Sequence, residues 1–290
     1  MPSARYEAPR SVKEAVQLLG ADRDARVLAG GTDLLVQSKT GRVSPSAYVD
    51  VKRIPELMQL QLGASGLRCG AAVPAARIYA NEELRRRWPG LAEATDLIGS
   101  SQIQGRASWG GNLCNASPAA DTVPALLVCG AEVAIAGPKG ERTLPVAEFT
   151  TGPGTSVLGP GELVVEFRVP APPARTADAY LRLIPRSEMD IAVVGAGVQL
   201  TLAADGGCTA ARVAIGAVAP TARLVPAAAQ ALVGSRLDDA ALARAAEAAR
   251  AAVQAIDDKR GTIDYRRQVT GVLVVRAARI AAERAAAAHN

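Results

Sequence analysis

Apolar residues recur at helical spacing in some segments of the chain and alternate or form short runs in others, which predicts a mixture of helices and strands. Ser11 followed by Glu14 is typical of a capping box and predicts the start of a helix. In the first part of the chain we predict helices at residues 11–19, 34–38, 75–79, 81–98 in two pieces broken at Pro89-Gly90, and 122–129. We predict strands at residues 26–29, 48–51, 57–62, 132–136 and 163–169.

The prolines clustered at residues 170–174 fit neither a helix nor a central strand, so we predict a domain boundary there. The two predicted domains are residues 1–173 and 174–290. In the second domain we predict strands at residues 180–184, 192–202 and 211–218, with a hairpin turn at residues 205–207. Helices are predicted at residues 227–233, 238–256 and 265–288, and we expect the last two, which are rich in alanine, to pack against the small sheet.

The composition agrees with a folded protein and narrows the range of partners. With 290 residues, 49% of them hydrophobic and 21% charged, the chain is long enough for two packed domains. No run of apolar residues is long enough for a membrane span, and residues 1–7 lack the apolar core of a signal peptide, so we expect a cytoplasmic location. The net charge of +5 is scattered, with one basic run at residues 85–87, and aromatic residues make up 3%. We therefore expect a solvated helix face at the run and no nucleic-acid partner.

The cysteines and the histidine exclude several kinds of catalysis. Four cysteines show no CxxC spacing, and the single histidine, His289, is one residue from the end. The chain cannot assemble a zinc or iron–sulfur site locally, and Ser–His or Cys–His catalysis would require His289 to fold back. Any redox or group-transfer chemistry must therefore come from a cofactor or a partner.

Two segments contain a glycine pair with a hydroxyl and a carboxylate nearby, and we call them the first glycine motif, residues 27–34, and the second glycine motif, residues 108–112. Glycine lets a backbone N–H approach a phosphate closely, so each motif could form a concave anion site. Three glycine pairs are about what chance gives in this composition, and the third, Gly206-Gly207, is interpreted as a turn. Two loops without a ligand remain the alternative. Neither motif is GxGxxG, and the chain has no Walker A sequence.

Longer segments around these motifs resemble the signatures of one family, the FAD-binding medium subunits of molybdenum hydroxylases. This family includes carbon monoxide dehydrogenase medium chains and the flavin domain of xanthine dehydrogenase. In the first domain the similar segments are Leu28-Ala29-Gly30-Gly31-Thr32-Asp33-Leu34, residues 110–121 and residues 149–155. In the second domain they are residues 186–192, 265–267 and 275–277. The resemblance covers nearly the whole chain in matching order.

The resemblance implies an α+β protein with a two-part FAD-binding domain of the vanillyl-alcohol oxidase type, followed by a smaller α+β domain with an antiparallel sheet and packed helices. It implies that both glycine motifs wrap the diphosphate and ribityl chain of FAD, that Ser117 and Asp121 add polar contacts, that Val164 touches the adenine side, and that Arg182 lies near the isoalloxazine. The implied cofactor-binding residues are Val27, Leu28, Ala29, Gly30, Gly31, Thr32, Asp33, Leu34, Ser108, Trp109, Gly110, Gly111, Asn112, Ser117, Asp121, Val164 and Arg182.

The residue chemistry supports part of this assignment. The N–H groups of both glycine pairs can approach a pyrophosphate, whereas Asp121 would repel one and is expected to accept hydrogen bonds from a hydroxyl or a ring N–H. Asp33 has an alternative role as a charge at a helix N-terminus, and Arg182 has one as a surface strand residue.

The chain also departs from the family at two points. Ser108-Trp109 replaces the Thr-Ile common in the family, and the aromatic residue that some relatives place over the flavin near the position of Ile191 is absent. Relatives with an extra iron–sulfur centre in this subunit need an added cysteine cluster, which this sequence lacks.

The expected function is that of an electron-transfer flavoprotein subunit with no catalytic residue of its own. The resemblance implies that FAD receives electrons from 2Fe-2S clusters of a small partner subunit, which draw them from the molybdenum cofactor of a large partner subunit, and that an external acceptor then takes them. We expect non-covalent FAD and a dimer of heterotrimers. The alternatives are a stand-alone FAD-dependent oxidoreductase of the same fold and a scaffold subunit without flavin.

Overall fold

The computed structural model describes residues 4–287. His289 and the last residue of the predicted C-terminal helix, Ala288, lie outside the described residues, as do the first three residues. The helices, numbered in chain order, are α1 Val12–Ala21, α2 Leu34–Lys39, α3 Pro55–Met58, α4 Ala75–Tyr79, α5 Glu82–Arg87, α6 Pro89–Asp96, α7 Ser101–Gln104, α8 Trp109–Cys114, α9 Thr122–Val128, α10 Pro226–Leu232, α11 Asp239–Ala251 and α12 Ile263–Ala287. The strands are β1 Arg5–Glu7, β2 Arg26–Leu28, β3 Ala47–Asp50, β4 Leu60–Gly63, β5 Gly66–Gly70, β6 Glu132–Gly137, β7 Gly140–Pro145, β8 Thr150–Gly152, β9 Thr155–Ser156, β10 Leu163–Pro170, β11 Thr176–Leu183, β12 Val194–Leu202, β13 Cys208–Gly216 and β14 Arg223–Leu224.

The N-terminal part is a three-stranded parallel sheet in the order β1-β3-β2. Helix α1 connects β1 to β2, and the capping box predicted at its start is present: Ser11 Oγ accepts a hydrogen bond from the Glu14 N–H at 3.2 Å, and the Glu14 carboxylate accepts one from the Arg10 N–H at 2.9 Å. Apolar residues of α1 and β3 form a small core with Ile54 and Leu57. The end of β2 at Leu28 leads directly into the first glycine motif.

The second part is a five-stranded antiparallel sheet in the order β4-β5-β10-β6-β7, which shares its core with helices α4, α5, α6, α8 and α9. Its core contains the largest buried side chains of the protein, among them Trp88, Trp109, Phe149 and Phe167. The ring of Trp109 meets that of Phe167 edge-on, with centroids 5.6 Å apart. Since aromatic pairs favour this arrangement, the contact fixes α8 on the sheet.

The C-terminal part is a four-stranded antiparallel sheet in the order β11-β12-β13-β14, and helices cover both of its faces. Ala196 and Val198 of β12 pack in the core that α10, α11 and α12 share. Gly197 faces the other way, onto α9, where an added Cβ would lie 2.9 Å from the carbonyl oxygen of Pro124. Because this approach leaves no room for a side chain, the glycine is needed to seat the sheet on the first domain.

The architecture confirms the expected α+β fold with a two-part first domain and a small antiparallel sheet with packed helices. Most predicted elements are present within a few residues, including α4, the two helices on either side of Trp88 and the hairpin at residues 205–207. The strand predicted at residues 57–62 is wrong in its first half, because Pro55 starts the short helix α3 and Leu57 is buried in it. Helix α11 ends at Ala251, five residues before the predicted end.

Candidate functional site

The first glycine motif is a tight turn at the carboxyl end of a parallel strand. After β2 the chain passes through Gly30 and Gly31, and α2 then begins at Leu34. The φ angle of Gly31 is +76°, in the left-handed region that glycine adopts freely. Within residues 4–287 the N–H groups of Gly30, Gly31, Thr32 and Asp33 have no hydrogen-bond acceptor. Successive free N–H groups of this kind favour an anion.

Gly30 also joins this motif to the segment that precedes the second one. A Cβ added at Gly30 would lie 2.0 Å from the carbonyl oxygen of Arg106, so only glycine fits. A pair of side-chain bonds completes the connection: Gln37 Nε2 donates to Asn115 Oδ1 at 2.9 Å, and Asn115 Nδ2 donates to Asp33 Oδ1 at 3.4 Å. The fold therefore brings together the two predicted motifs, residues 27–34 and 108–112, which are far apart in the sequence.

The second glycine motif is the start of helix α8, not the open loop that its composition suggested. Ser108 Oγ caps the helix by accepting a hydrogen bond from the Gly111 N–H at 3.1 Å, and the Gly110 N–H donates to the Ala71 carbonyl at 3.0 Å. The expectation that both N–H groups are free for a pyrophosphate is therefore wrong. An added Cβ at Gly110 would lie 2.5 Å from the Ala71 carbonyl oxygen, whereas one at Gly111 meets no atom nearer than 3.4 Å.

A cavity of about 440 Å³ lies between the two motifs and the start of β10. Val27 and Ala29 of the first motif, Gly110 and Gly111 of the second, and Val164 line it. Sequence reasoning missed the remaining walls, which are formed by Leu19, Arg23, Ala25, Arg26, Val51, Leu57, Ala71, Ala72, Cys114, Leu163 and residues 158–162. The Gly-Pro-Gly sequence at residues 159–161 was a signal that could have found one wall, because it predicts a tight loop before a strand.

The side chains of three predicted site residues form hydrogen bonds within the protein, and that of a fourth makes no capping hydrogen bond. Trp109 is fully buried and its indole N–H donates to Thr95 Oγ1 at 2.9 Å, so any contact of Trp109 with a ligand would be through its backbone. Asn112 Oδ1 accepts a hydrogen bond from the Thr122 hydroxyl at 2.6 Å, which ties α8 to α9. Ser117 Oγ accepts one from the Ala119 N–H at 3.2 Å. Asp33 is the N-cap residue of α2, but its carboxylate makes no capping hydrogen bond.

Asp121 and Arg182 form an ion pair between the two domains and do not line the cavity. Arg182 Nη1 lies 2.7 Å from Asp121 Oδ2, and the Tyr180 hydroxyl donates to Asp121 Oδ1 at 3.1 Å. Because the Arg182 side chain is only 6% exposed, the alternative of a surface position for it is wrong. Burial raises the pKa of Asp121 to about 6, although Arg182 and Tyr180 both act to lower it.

Two further findings concern the described part of the chain. Among residues 4–287, no three His, Cys, Asp or Glu side chains come together in a group that could hold a metal ion. None of the helices in that range combines the length and apolar character needed to cross a membrane.

Comparison with known proteins identifies the class and then the family. The model "FAD binding domain in molybdopterin dehydrogenase" matches residues 2–172, and "CO dehydrogenase flavoprotein C-terminal domain" matches residues 179–281. The fold and the matched domains define a two-domain FAD-binding flavoprotein. The chain belongs to the family of FAD-binding medium subunits of molybdopterin dehydrogenases, and it is a flavoprotein subunit of an oxidoreductase of the carbon monoxide dehydrogenase and xanthine dehydrogenase type.

The similarity to related proteins and to solved structures covers most of the chain. The carbon monoxide dehydrogenase medium chain of Hydrogenophaga pseudoflava is 34% identical over 277 residues, which cover 95% of this chain and 96% of the relative. The putative xanthine dehydrogenase FAD-binding subunit of Escherichia coli K12 is 33% identical over 75% of each chain. Among solved structures, the carbon monoxide dehydrogenase of H. pseudoflava superposes with a TM-score of 0.93 at 36% identity, with 98% of both chains covered. The quinoline 2-oxidoreductase of Pseudomonas putida 86 gives 0.91 at 30% identity, again with 98% of both chains covered.

Proposed function

We propose that this chain is the electron-transfer subunit of a heterotrimeric molybdenum hydroxylase that assembles as a dimer of heterotrimers in the cytoplasm. Its partners are a large subunit with the molybdenum cofactor and a small subunit with 2Fe-2S clusters. When bound, FAD would supply the redox chemistry between the partner's clusters and an external acceptor. The residues of this chain hold, orient and shield the cofactor, which they bind without a covalent bond.

The observation that carries the proposal is the row of free N–H groups at residues 30–33 beside an apolar cavity. A diphosphate needs several donors, which suits these N–H groups. A largely apolar cavity of about 440 Å³ beside them has the size and polarity for the adenosine end of a dinucleotide. The residues present therefore fit FAD at its nucleotide end.

The predicted cofactor-binding residues would contribute to the proposed FAD site in different ways. Residues 27–34 would bind the diphosphate through their backbone, with Val164 and the loop at residues 158–162 against the adenine. Ser108, Gly110 and Gly111 would form a wall that FAD can approach closely, because the glycines have no side chains. Trp109 and Asn112 would stabilise this wall through their contacts inside the protein. Ser117 and Asp121 would add polar contacts to the cofactor, and Arg182 would lie near the isoalloxazine. The domain boundary at residues 170–174 would separate the nucleotide site from the sheet that carries Arg182.

The test is purification of the chain, alone and with its co-expressed neighbouring subunits. The expected result is a yellow protein with a flavin spectrum, about one FAD per chain, released by heat or acid, and co-purification with subunits that carry molybdenum and 2Fe-2S clusters. A colourless chain that does not bind added FAD would support the scaffold alternative. Oxidation of a small organic substrate by the flavin-loaded chain alone would support the stand-alone oxidoreductase and contradict the subunit assignment.

A further inference from the structure

Lys52, which follows strand β3, contacts the first glycine motif from behind. Its ammonium group donates a hydrogen bond to the carbonyl oxygen of Ala29 at 2.8 Å and forms an ion pair with Asp50 Oδ1 at 2.7 Å. Ala29 lies beyond the last paired residue of β2 and immediately before Gly30, and it lines the cavity. Lys52 therefore reaches from the central strand of the parallel sheet to the first residue of the turn.

A buried carboxylate fixes Lys52 in this position. Asp50 is 7% exposed, and its Oδ1 also accepts the Lys52 N–H at 3.0 Å. Its other oxygen, Oδ2, accepts a hydrogen bond from the Tyr6 hydroxyl of β1 at 2.6 Å. The chain of contacts from Tyr6 through Asp50 and Lys52 to Ala29 crosses all three strands of the sheet and ends at the glycine motif.

The geometry of the peptide bond links this contact to the free N–H groups. A trans peptide is planar, so the Gly30 N–H points opposite to the Ala29 carbonyl. When Lys52 holds that carbonyl on the β3 side, the Gly30 N–H points away from β3, and no acceptor among the described residues receives it.

We propose that Lys52 is a positioning residue for FAD binding, and that it acts by holding the Ala29–Gly30 peptide in the orientation that turns the Gly30 N–H toward the diphosphate. This inference rests on the proposed FAD site at residues 27–34. It assigns a function to a side chain that belongs to neither glycine motif and that contributes no wall to the cavity.

The test measures FAD binding to the full chain after the flavin has been removed, by titration calorimetry. We expect Lys52→Met to bind FAD about tenfold or more weakly, since it loses a hydrogen bond from a charged donor. Lys52→Arg keeps the charge and the donors and should recover part of the affinity. The matched control is Lys39→Met, which removes an exposed lysine of α2. Its affinity should equal that of the unmodified chain.

A second variant separates positioning from a loss of folding, because Lys52→Met leaves Asp50 buried without its ion pair. The double variant Asp50→Asn with Lys52→Met removes that unpaired charge and should regain thermal stability while it still binds FAD weakly. Wild-type affinity in Lys52→Met, or in the double variant, would overturn the proposal. Failure of the unmodified chain to bind FAD would instead contradict the proposed function.

Discussion

The carboxylate of Asp178 in β11 accepts a hydrogen bond from the Leu91 N–H at 2.8 Å and so caps the first turn of α6 from the opposite domain. Helix α6 and strand β11 are in close contact here, because a Cβ added at Gly90 would lie 2.6 Å from the Cα of Ala179. The other carboxylate oxygen of Asp178 is buried without a hydrogen-bond partner among the described residues. The junction between the domains therefore contains a carboxylate that is only half satisfied.

The first prediction concerns the pH dependence of stability at this junction. Burial raises the pKa of Asp178 to about 6 from an ordinary value of 3.8. Between these two values the folded chain holds a proton that the unfolded chain has lost, so this group makes the free energy of unfolding rise as the pH falls from about 7 to about 4. Over this whole pH range, protonation of Asp178 raises the free energy of unfolding by about 3 kcal/mol. Asp178→Asn, which is neutral throughout, should lack this slope.

Urea denaturation of the flavin-free chain at several pH values between 7 and 5 measures the slope. Asp121 contributes in the same direction, since its pKa is also raised to about 6, so the informative quantity is the difference between the wild type and Asp178→Asn. Asp239→Asn, at an aspartate whose side chain is 94% exposed, serves as the control and should follow the wild type. Parallel pH profiles for the wild type and Asp178→Asn would show that Asp178 is ionised normally.

A second prediction tests the contact that joins the two glycine motifs. Gly30→Ala would place a Cβ 2.0 Å from the Arg106 carbonyl oxygen, so the motifs must separate. We expect a loss of about 1–3 kcal/mol in the free energy of unfolding, as overpacking typically costs, together with a large fall in bound FAD. Flavin content after purification and thermal unfolding measure the two effects. Gly63→Ala, where no atom lies within 4 Å of the new Cβ, should change neither.

Local signals predicted much of the fold, and contacts distant in sequence account for what was missed. The capping pair Ser11 and Glu14 and the turn residues at 205–207 act within a few positions, so their elements could be predicted. The short strands β1 and β5 carry too few residues to show a periodic pattern, and one neighbour of each, β3 for β1 and β10 for β5, comes from a distant part of the chain. Pairing with those neighbours decided their conformation.

The candidate site divides in the same way. Both glycine motifs were found because glycine pairs are visible in the sequence, but the Gly110 N–H is engaged by the Ala71 carbonyl, 39 positions earlier, and no local pattern shows that contact. The proposed role of Lys52 depends on a carbonyl 23 positions away. The ion pair of Asp121 and Arg182 joins residues 61 positions apart, and their separate motifs did not predict that they meet.

A third prediction concerns this ion pair. Arg182→Met would leave Asp121 buried and unpaired, since the two side chains are 6% and 11% exposed, and should lower the free energy of unfolding by about 3–5 kcal/mol. The double variant Asp121→Asn with Arg182→Met removes the unpaired charge and should be more stable than Arg182→Met alone. Arg279→Met, which breaks a surface pair with Asp239, is the matched control and should cost about 1 kcal/mol or less. Additive effects of the two substitutions would mean that the pair is not coupled.

The last prediction contrasts the neighbouring glycines of the second motif, whose surroundings differ. Gly111 faces the cavity, with no atom nearer than 3.4 Å to an added Cβ, so Gly111→Leu should fill the space proposed for FAD while the chain stays folded. Gly110 is packed against Ala71, so even Gly110→Ala should destabilise the flavin-free chain by about 1–3 kcal/mol. Thermal unfolding of flavin-free protein and titration with FAD separate the two effects. Full FAD binding by Gly111→Leu would place the cofactor elsewhere, whereas equal instability of both variants would mean that Gly111 is also needed for packing.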